Sequence, residues 1–188
     1  MNEVTRIIAA GVEIPARISV DEFMAMVDVD IFKGAKAELD KGVVVRMSPA
    51  LTAHTRYIYL VQNALAAAVG SGTTLLAVPG VSILVGFDTV REIDLAVVAG
   101  FGDDAAFFNP ADVLLAVEIS STTLTYDLGP KRADYADSNI PHYWVVDVEG
   151  RRIHVMTNPL DGDYTERHLV QFGEALAVPG TDRTITIA

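Results

Sequence analysis

The sequence predicts one α/β domain spanning residues 1–188, built on a mixed β-sheet with helices packed against it. Three observations carry that expectation. Helical and strand periodicities alternate along the chain. Two strand segments, Ile93–Val98 and Val113–Ile119, are apolar on both sides, as strands covered on both faces are. The 188 residues are 51% hydrophobic and 21% charged, a balance that suits a single domain with a full core.

The elements follow in order. Residues 19–27 predict a short helix, with Ser19 as N-cap and Glu22 three positions on as the reciprocal half of a capping box. Residues 37–47 predict a hairpin turning at Asp40-Lys41-Gly42, which Ser48-Pro49 ends. A helix follows over Thr52–Val69, because Ile58, Val61, Leu65 and Ala68 recur at helical spacing and Gly70 can end it. Short strands are expected over Thr74–Val78, Val81–Val85 and Glu92–Val98, punctuated by Pro79-Gly80 and Gly86-Phe87-Asp88. Residues 100–112 read as a loop or irregular helix, and Val113–Ile119 as the central strand. A helix over Pro130–Ser138 would place Pro130 in its first turn. His142–Val148 and Arg152–Met156 are strands joined by a turn at Glu149-Gly150. The tail is strand-like, broken at Pro159, Gly162, Pro179 and Gly180.

Composition narrows the function. The formal net charge is −11, which argues against a surface that coats phosphates indiscriminately. The absence of cysteine excludes disulfides, thiolate zinc sites and cysteine nucleophiles. The histidines (His54, His142, His154, His168) show no close pair at metal-ligand spacing. The N-terminal apolar run is short and bounded by Arg6 and Glu13, unlike a secretory signal. No stretch approaches the roughly 20 apolar residues of a membrane span. A cytoplasmic protein without membrane partners is the expectation.

Two carboxylates stand out against this background. Asp94 and Glu118 interrupt the two apolar strands, where an ionised group is costly unless paired, hydrogen-bonded or bound to a metal. Lys131 follows at a distance that brings a cation back toward the strand end. Two acids and a lysine form a minimal kit for metal-assisted hydrolysis. Blander roles stand beside each. Asp94 could bond a neighbouring loop, Lys131 could pair with Asp127 four residues earlier on a solvated helix, and Glu38 could pair with Lys36. Tyr135 shares a helix face with Lys131 and either bonds a site carboxylate or packs. Ser120, Ser121 and Thr122 suit turn and capping roles better than nucleophilic ones. His54, near a helix start, either approaches the site or caps structure, and Trp144 reads as core.

Motif order then points to a family. Glu38-Leu39-Asp40-Lys41-Gly42, Met47-Ser48-Pro49, His54, Asp94, Val117-Glu118-Ile119-Ser120-Ser121-Thr122, Asp127, Lys131, Tyr135 and Ile140-Pro141-His142-Tyr143-Trp144-Val145-Val146-Asp147 occur in sequence, closing with Phe172-Gly173-Glu174-Ala175-Leu176. The chain resembles the Uma-type family of restriction-endonuclease-like proteins, within the PD-(D/E)xK nuclease superfamily. The resemblance covers nearly the whole chain and is most specific over residues 117–147. It implies a restriction-endonuclease-like fold, a mixed sheet flanked by helices, with Asp94 and Glu118 as divalent-metal ligands. The superfamily lysine normally lies two residues beyond the second acid. Ser120 holds that position here, so the resemblance assigns the role to Lys131. Ile93 stands where the superfamily motif has proline.

These residues lead to an expected reaction. Mg²⁺, for which Mn²⁺ can substitute, would sit on Asp94, Glu118 and the Ile119 carbonyl, with Glu38 facing the same ion or a second one. Asp94, Glu118 and Lys131 would form the catalytic set for hydrolysing DNA phosphodiester bonds. The alternatives are a metal-dependent hydrolase of a small phosphoester, which an acidic surface tolerates better, or a non-catalytic interaction domain that kept the fold. A homodimer is expected, since it could pool Arg46, Arg56, Arg91 and Arg132 along one cleft.

Overall fold

The structure is a computed structural model that describes residues 6–9, 12–70, 73–101 and 106–188. The chain packs as two compact units. The first comprises Met1–Pro49 with Gly86–Arg91, and the second Ala50–Val85 with Glu92–Ala188.

In the first unit, β1 (Arg6–Ala9) and β2 (Val12–Pro15) form an antiparallel ribbon that the sequence patterning did not anticipate. Helix α1 (Val20–Asp28) starts as expected. The Ser19 hydroxyl accepts the Glu22 N–H at 3.2 Å, while the Glu22 carboxylate accepts the Ser19 N–H at 2.8 Å. Strands β3 (Ala37–Asp40) and β4 (Val43–Arg46) pair around Lys41 and Gly42, both at positive φ. Gly42 is required twice over. Its φ is +77°, and a Cβ there would lie 2.8 Å from the Arg17 Cβ. Leu39 of β3 pairs with Val90, near the start of β6 (Thr89–Val98), a strand whose residues fall in both units.

The second unit opens with α2 (Thr52–Val69), at the bounds its periodicity predicts. Strand β5 (Leu76–Val85) is continuous, where two strands were expected. It pairs with β6 off the main path of the sheet, and Gly80 passes through a φ of +64°. A proline and a positive-φ glycine are tolerated where a strand is paired on one side. In the 100–112 segment, of which 102–105 lie outside the described residues, Phe108 bridges Ile83 and Pro110–Asp112 form a 3₁₀ turn.

Strand β7 (Val113–Ser120) leads into α3 (Leu124–Tyr126), a widened π-turn over Asp127–Lys131, and α4 (Arg132–Asp137). The expected helix at 130–138 therefore begins earlier, and Pro130 is internal to it. The wide turn accommodates the missing proline N–H. Strands β8 (His142–Asp147), β9 (Arg152–Leu160) and β10 (Asp163–Gln171) follow. Pro159 lies inside β9 and does not break the tail, whereas Gly162 does so as expected. Asp161 and Gly162, both at positive φ, make the two-residue turn of the β9–β10 hairpin. Strands β11 (Ala175–Ala177) and β12 (Thr184–Thr186) pair with each other.

Within this unit the sheet order is β10-β9-β8-β7-β6. Strands β7 and β8 are parallel, and their neighbours are antiparallel. A parallel pair needs a crossover, and α3–α4 supply it. One face of the sheet, with Leu95, Val97, Leu115, Val117, Ile119, Trp144 and Val146, packs on Tyr57, Val61, Leu65 and Ala68 of α2. On the other, Ala96, Val98, Ala116, Tyr143 and Val145 pack with Tyr135 and Ala136 of the crossover. This α/β architecture, a large mixed sheet flanked by helices, is the predicted fold class. Trp144 is core, 1% exposed.

Candidate functional site

The crossover brings Lys131 back over β7. Lys131 is buried, and its Nζ donates to Glu118 Oε1 at 3.0 Å and to the Glu92 carbonyl at 3.1 Å. The Tyr135 hydroxyl, one turn further along, donates to the same Glu118 oxygen at 2.5 Å. Lys131 is thus not the solvated helix residue of the bland reading. Asp127, whose carboxyl also feels the Lys131 charge, accepts from the Thr123 hydroxyl at 2.6 Å.

Asp94 approaches from β6. The β6–β7 ladder pairs Leu95 with Val117, so one further step sets Asp94 against Glu118. There the ladder gives way, because the Ile119 N–H donates to Asp94 Oδ2 at 2.9 Å. His54, in the first turn of α2, closes the arrangement. Its Nδ1 lies 2.8 Å from the Ile119 carbonyl, and its Nε2 lies 3.4 Å from Asp94 Oδ1.

Electrostatics separate the two acids. Burial pushes the Glu118 carboxyl well above the usual range; the charges of Asp94 and Asp127 push the same way, against Lys131 and Tyr135. Burial also pushes Asp94 upward. The His54 hydrogen bond and charge, Lys131 and the Ile119 N–H outweigh it and hold Asp94 below its ordinary value. Asp127 is raised by its own burial. Two carboxylates driven apart in this way recur at sites that handle protons or cations.

Glu38 belongs to the first unit, where its Oε2 accepts from Arg91 at 3.1 Å. Arg91 also donates to Asp40 at 2.8 Å and is fully buried. The expectation of Arg91 as a cleft cation is therefore corrected: its guanidinium is held between two carboxylates and does not reach a surface. Arg132 pairs with Asp163 at 3.2 Å, whereas Arg46 and Arg56 are exposed.

Among the described residues, no group of three or more His, Asp or Glu side chains is arranged as a metal cage. The donor set nonetheless fits a hard cation that completes its shell with water or substrate. It offers carboxylates from neighbouring strand ends and the Ile119 backbone carbonyl, which lies 2.8 Å from His54 Nδ1.

The comparisons with known proteins agree with this architecture. A family model described as "Putative restriction endonuclease", that of Uma2, matches residues 20–188. The chain belongs to the Uma2 family. The chain is also similar to a crystal structure from Anabaena variabilis described as "a putative nuclease belonging to DUF820". The TM-score is 0.63 and the identity 15%, over 86% of this chain and 89% of that one. At that identity the likeness shows the fold. No curated protein matches the chain. Uma2 membership and the nuclease-like fold together support a nuclease. Sequence reasoning had Asp127 in the motif order but missed it as a buried acid near Glu118. It also missed the double contact of His54, which joins residues far apart in the chain.

Proposed function

We propose that the chain is a divalent-metal-dependent nuclease that hydrolyses DNA phosphodiester bonds, with Asp94, Glu118 and Lys131 as its catalytic set. The observation that carries this reading is the convergence of Glu118, Lys131, Asp94 and the Ile119 backbone at one end of the β6–β7 pair. Asp94, Glu118 and the Ile119 carbonyl would hold Mg²⁺, or Mn²⁺ in its place. When bound, the cation supplies Lewis-acid stabilisation of the phosphate and a more acidic water. Glu118 stays aligned because Lys131 and Tyr135 both hold its Oε1. The Lys131 ammonium supplies fixed positive charge where negative charge grows on the phosphoryl oxygens. Glu38 is left out of this set, because its carboxylate already pairs with Arg91. We further propose that residues 1–188 act as one functional domain, since β6 runs through both units, and that the protein works as a cytoplasmic homodimer. Exposed Leu160 and Leu169, on the hairpin that ends the sheet, offer apolar surface for a second copy.

The net charge of −11 favours a second reading, a small phosphoester substrate. Duplex DNA binding in Ca²⁺ across a salt series separates the two. Salt-dependent binding, with cleavage in Mg²⁺ that Glu118→Gln abolishes, is expected. Binding that is absent at low salt would transfer the proposal to the small substrate. Light scattering at micromolar concentration tests the dimer, which a monomeric mass of 20.2 kDa would exclude.

A further inference from the structure

Helix α2 departs from the charge balance of the rest of the chain. Asp and Glu make up 25 of the 188 residues, yet none falls among the 18 of α2. Its outward stripe instead carries Arg56, Tyr59 and Asn63, spaced three and four residues apart and all exposed. Tyr59 is 67% exposed, outside the core that buries Tyr57. Beside this stripe a ladder of rings and guanidiniums crosses to the β8–β9 turn. The Arg56 guanidinium lies 6.0 Å from the centre of the Tyr57 ring, Tyr57 lies 5.4 Å from Phe172, and the Arg151 guanidinium lies 5.2 Å from Phe172. The Phe172 N–H donates to the Arg151 carbonyl at 3.0 Å, which fixes the far end of the ladder. Stacking on a ring occupies the face of a guanidinium and leaves its in-plane N–H donors available.

These two arginines differ from the other cations of the second unit. Lys131, Arg132, Arg152 and Arg167 each hold a carboxylate, and Arg183 donates to the Ala67 carbonyl near the opposite end of α2. Among the described residues, Arg56 and Arg151 have no carboxylate partner. Two exposed cations kept clear of carboxylates, in a chain of net charge −11, suit a polyanion. Their place is next to the candidate site. His54 precedes Tyr57 by three residues on the same helix face, and its ring lies 2.8 Å from the Ile119 carbonyl.

We propose that Arg56 and Arg151, with Tyr59 and Asn63 of the α2 stripe, hold the DNA backbone beside the cleavage site. This rests on the DNA-nuclease reading above and deepens it. Contacts of this kind fix the register of the duplex and carry no base preference. Each arginine that neutralises a phosphate adds about 0.9 to the logarithmic salt slope of binding, so a surface with two such cations gives a shallow slope.

The test is the anisotropy of short fluorescent duplexes of two unrelated sequences, titrated with the full chain in Ca²⁺ across a salt series. The proteins are the wild type, Arg56→Gln, Arg151→Gln, the double variant and Arg183→Gln, with far-ultraviolet circular dichroism as a folding control. Arg56→Gln and Arg151→Gln should each weaken binding several-fold, equally on both sequences, and flatten the salt slope by about 0.9 per bound copy of the chain. The double variant should lose about twice that, and Arg183→Gln should match the wild type. A double variant that keeps the affinity and salt slope of a DNA-binding wild type overturns this surface and leaves the nuclease reading standing. An equal loss in Arg183→Gln also overturns it, since the effect would then be one of overall charge. No DNA binding by the wild type overturns both readings. If the Gln variants fail to fold, a dye on Tyr59→Cys decides, the chain having no cysteine of its own. A change in its emission on adding duplex supports the surface, and an unchanged emission rejects it.

Discussion

Lys131 Nζ and Glu118 Oε1 lie 3.0 Å apart in a buried site, thirteen residues apart in sequence and on different elements. The pair is a consequence of topology. Parallel β7 and β8 demand a crossover, and the crossover packs on the sheet face that carries Glu118. Breaking one half of such a pair strands the other half away from water.

Lys131→Met should accordingly cost about 3 kcal/mol of stability near neutral pH. The cost should shrink as pH falls. Burial, Asp94 and Asp127 already raise the Glu118 carboxyl, and losing Lys131 raises it further. A carboxyl raised in the folded state favours folding below its unfolded value, and that benefit is lost as pH rises through the folded value. Glu118→Gln should also destabilise, by leaving the lysine charge without its carboxylate. The double variant Lys131→Met with Glu118→Gln should recover to within about 1 kcal/mol of the wild type. Urea denaturation at two pH values measures all three; additive losses in the double variant would contradict a coupled pair.

Glu38 offers a test between a structural acid and a metal ligand. Its carboxylate takes Arg91, which keeps Asp40 as a second partner. Glu38→Gln should cost about 2 kcal/mol, the scale of a hydrogen bond to a charged group. Mn²⁺ affinity should be unchanged. A large loss of affinity with stability intact would return Glu38 to the ligand set.

The sequence was legible where physics is local. Helix α2 follows its apolar spacing from Thr52 to Val69, and the Ser19–Glu22 capping box forms as its side chains dictate. The acids Asp94 and Glu118 were conspicuous because they interrupt apolar strands. What failed depended on neighbours distant in the chain. Pro79-Gly80 looked like a strand break, because one-sided pairing of β5 is a property of the sheet and not of the segment. Pro130 looked like a helix start, because a π-turn leaves no periodic trace. Arg91 looked like a surface cation, because its partners Glu38 and Asp40 arrive from another hairpin.

Gly162 tests the tail hairpin. Its φ is +76°, and a Cβ there would lie 2.9 Å from Asp137 Oδ1. Gly162→Ala should destabilise by about 1.5 kcal/mol, chiefly from the left-handed backbone. Thermal unfolding reads this directly, and an unchanged midpoint would show that the turn relaxes without cost.

His154 sets part of the pH dependence. Its Nε2 is 3.9 Å from Asp147 Oδ2, too far for a hydrogen bond. That oxygen is already held by Arg152 at 3.0 Å, and the other accepts the Gly150 N–H at 2.8 Å. Burial first, and then the Arg152 charge, lower the His154 pKa against the opposing pull of Asp147. Burial lowers His142 as well. A histidine lowered in the folded state is neutral there while the unfolded chain takes up a proton near its ordinary value of 6.5. The stability tied to the neutral ring is thus complete above that value and is lost as pH falls through the folded one. Wild-type denaturant midpoints should decline between about pH 7 and pH 5. His154→Gln, which cannot titrate, should show a shallower decline over the same interval, with the remainder attributable in part to His142. If the variant's pH profile runs parallel to the wild type's, His154 does not contribute to the slope.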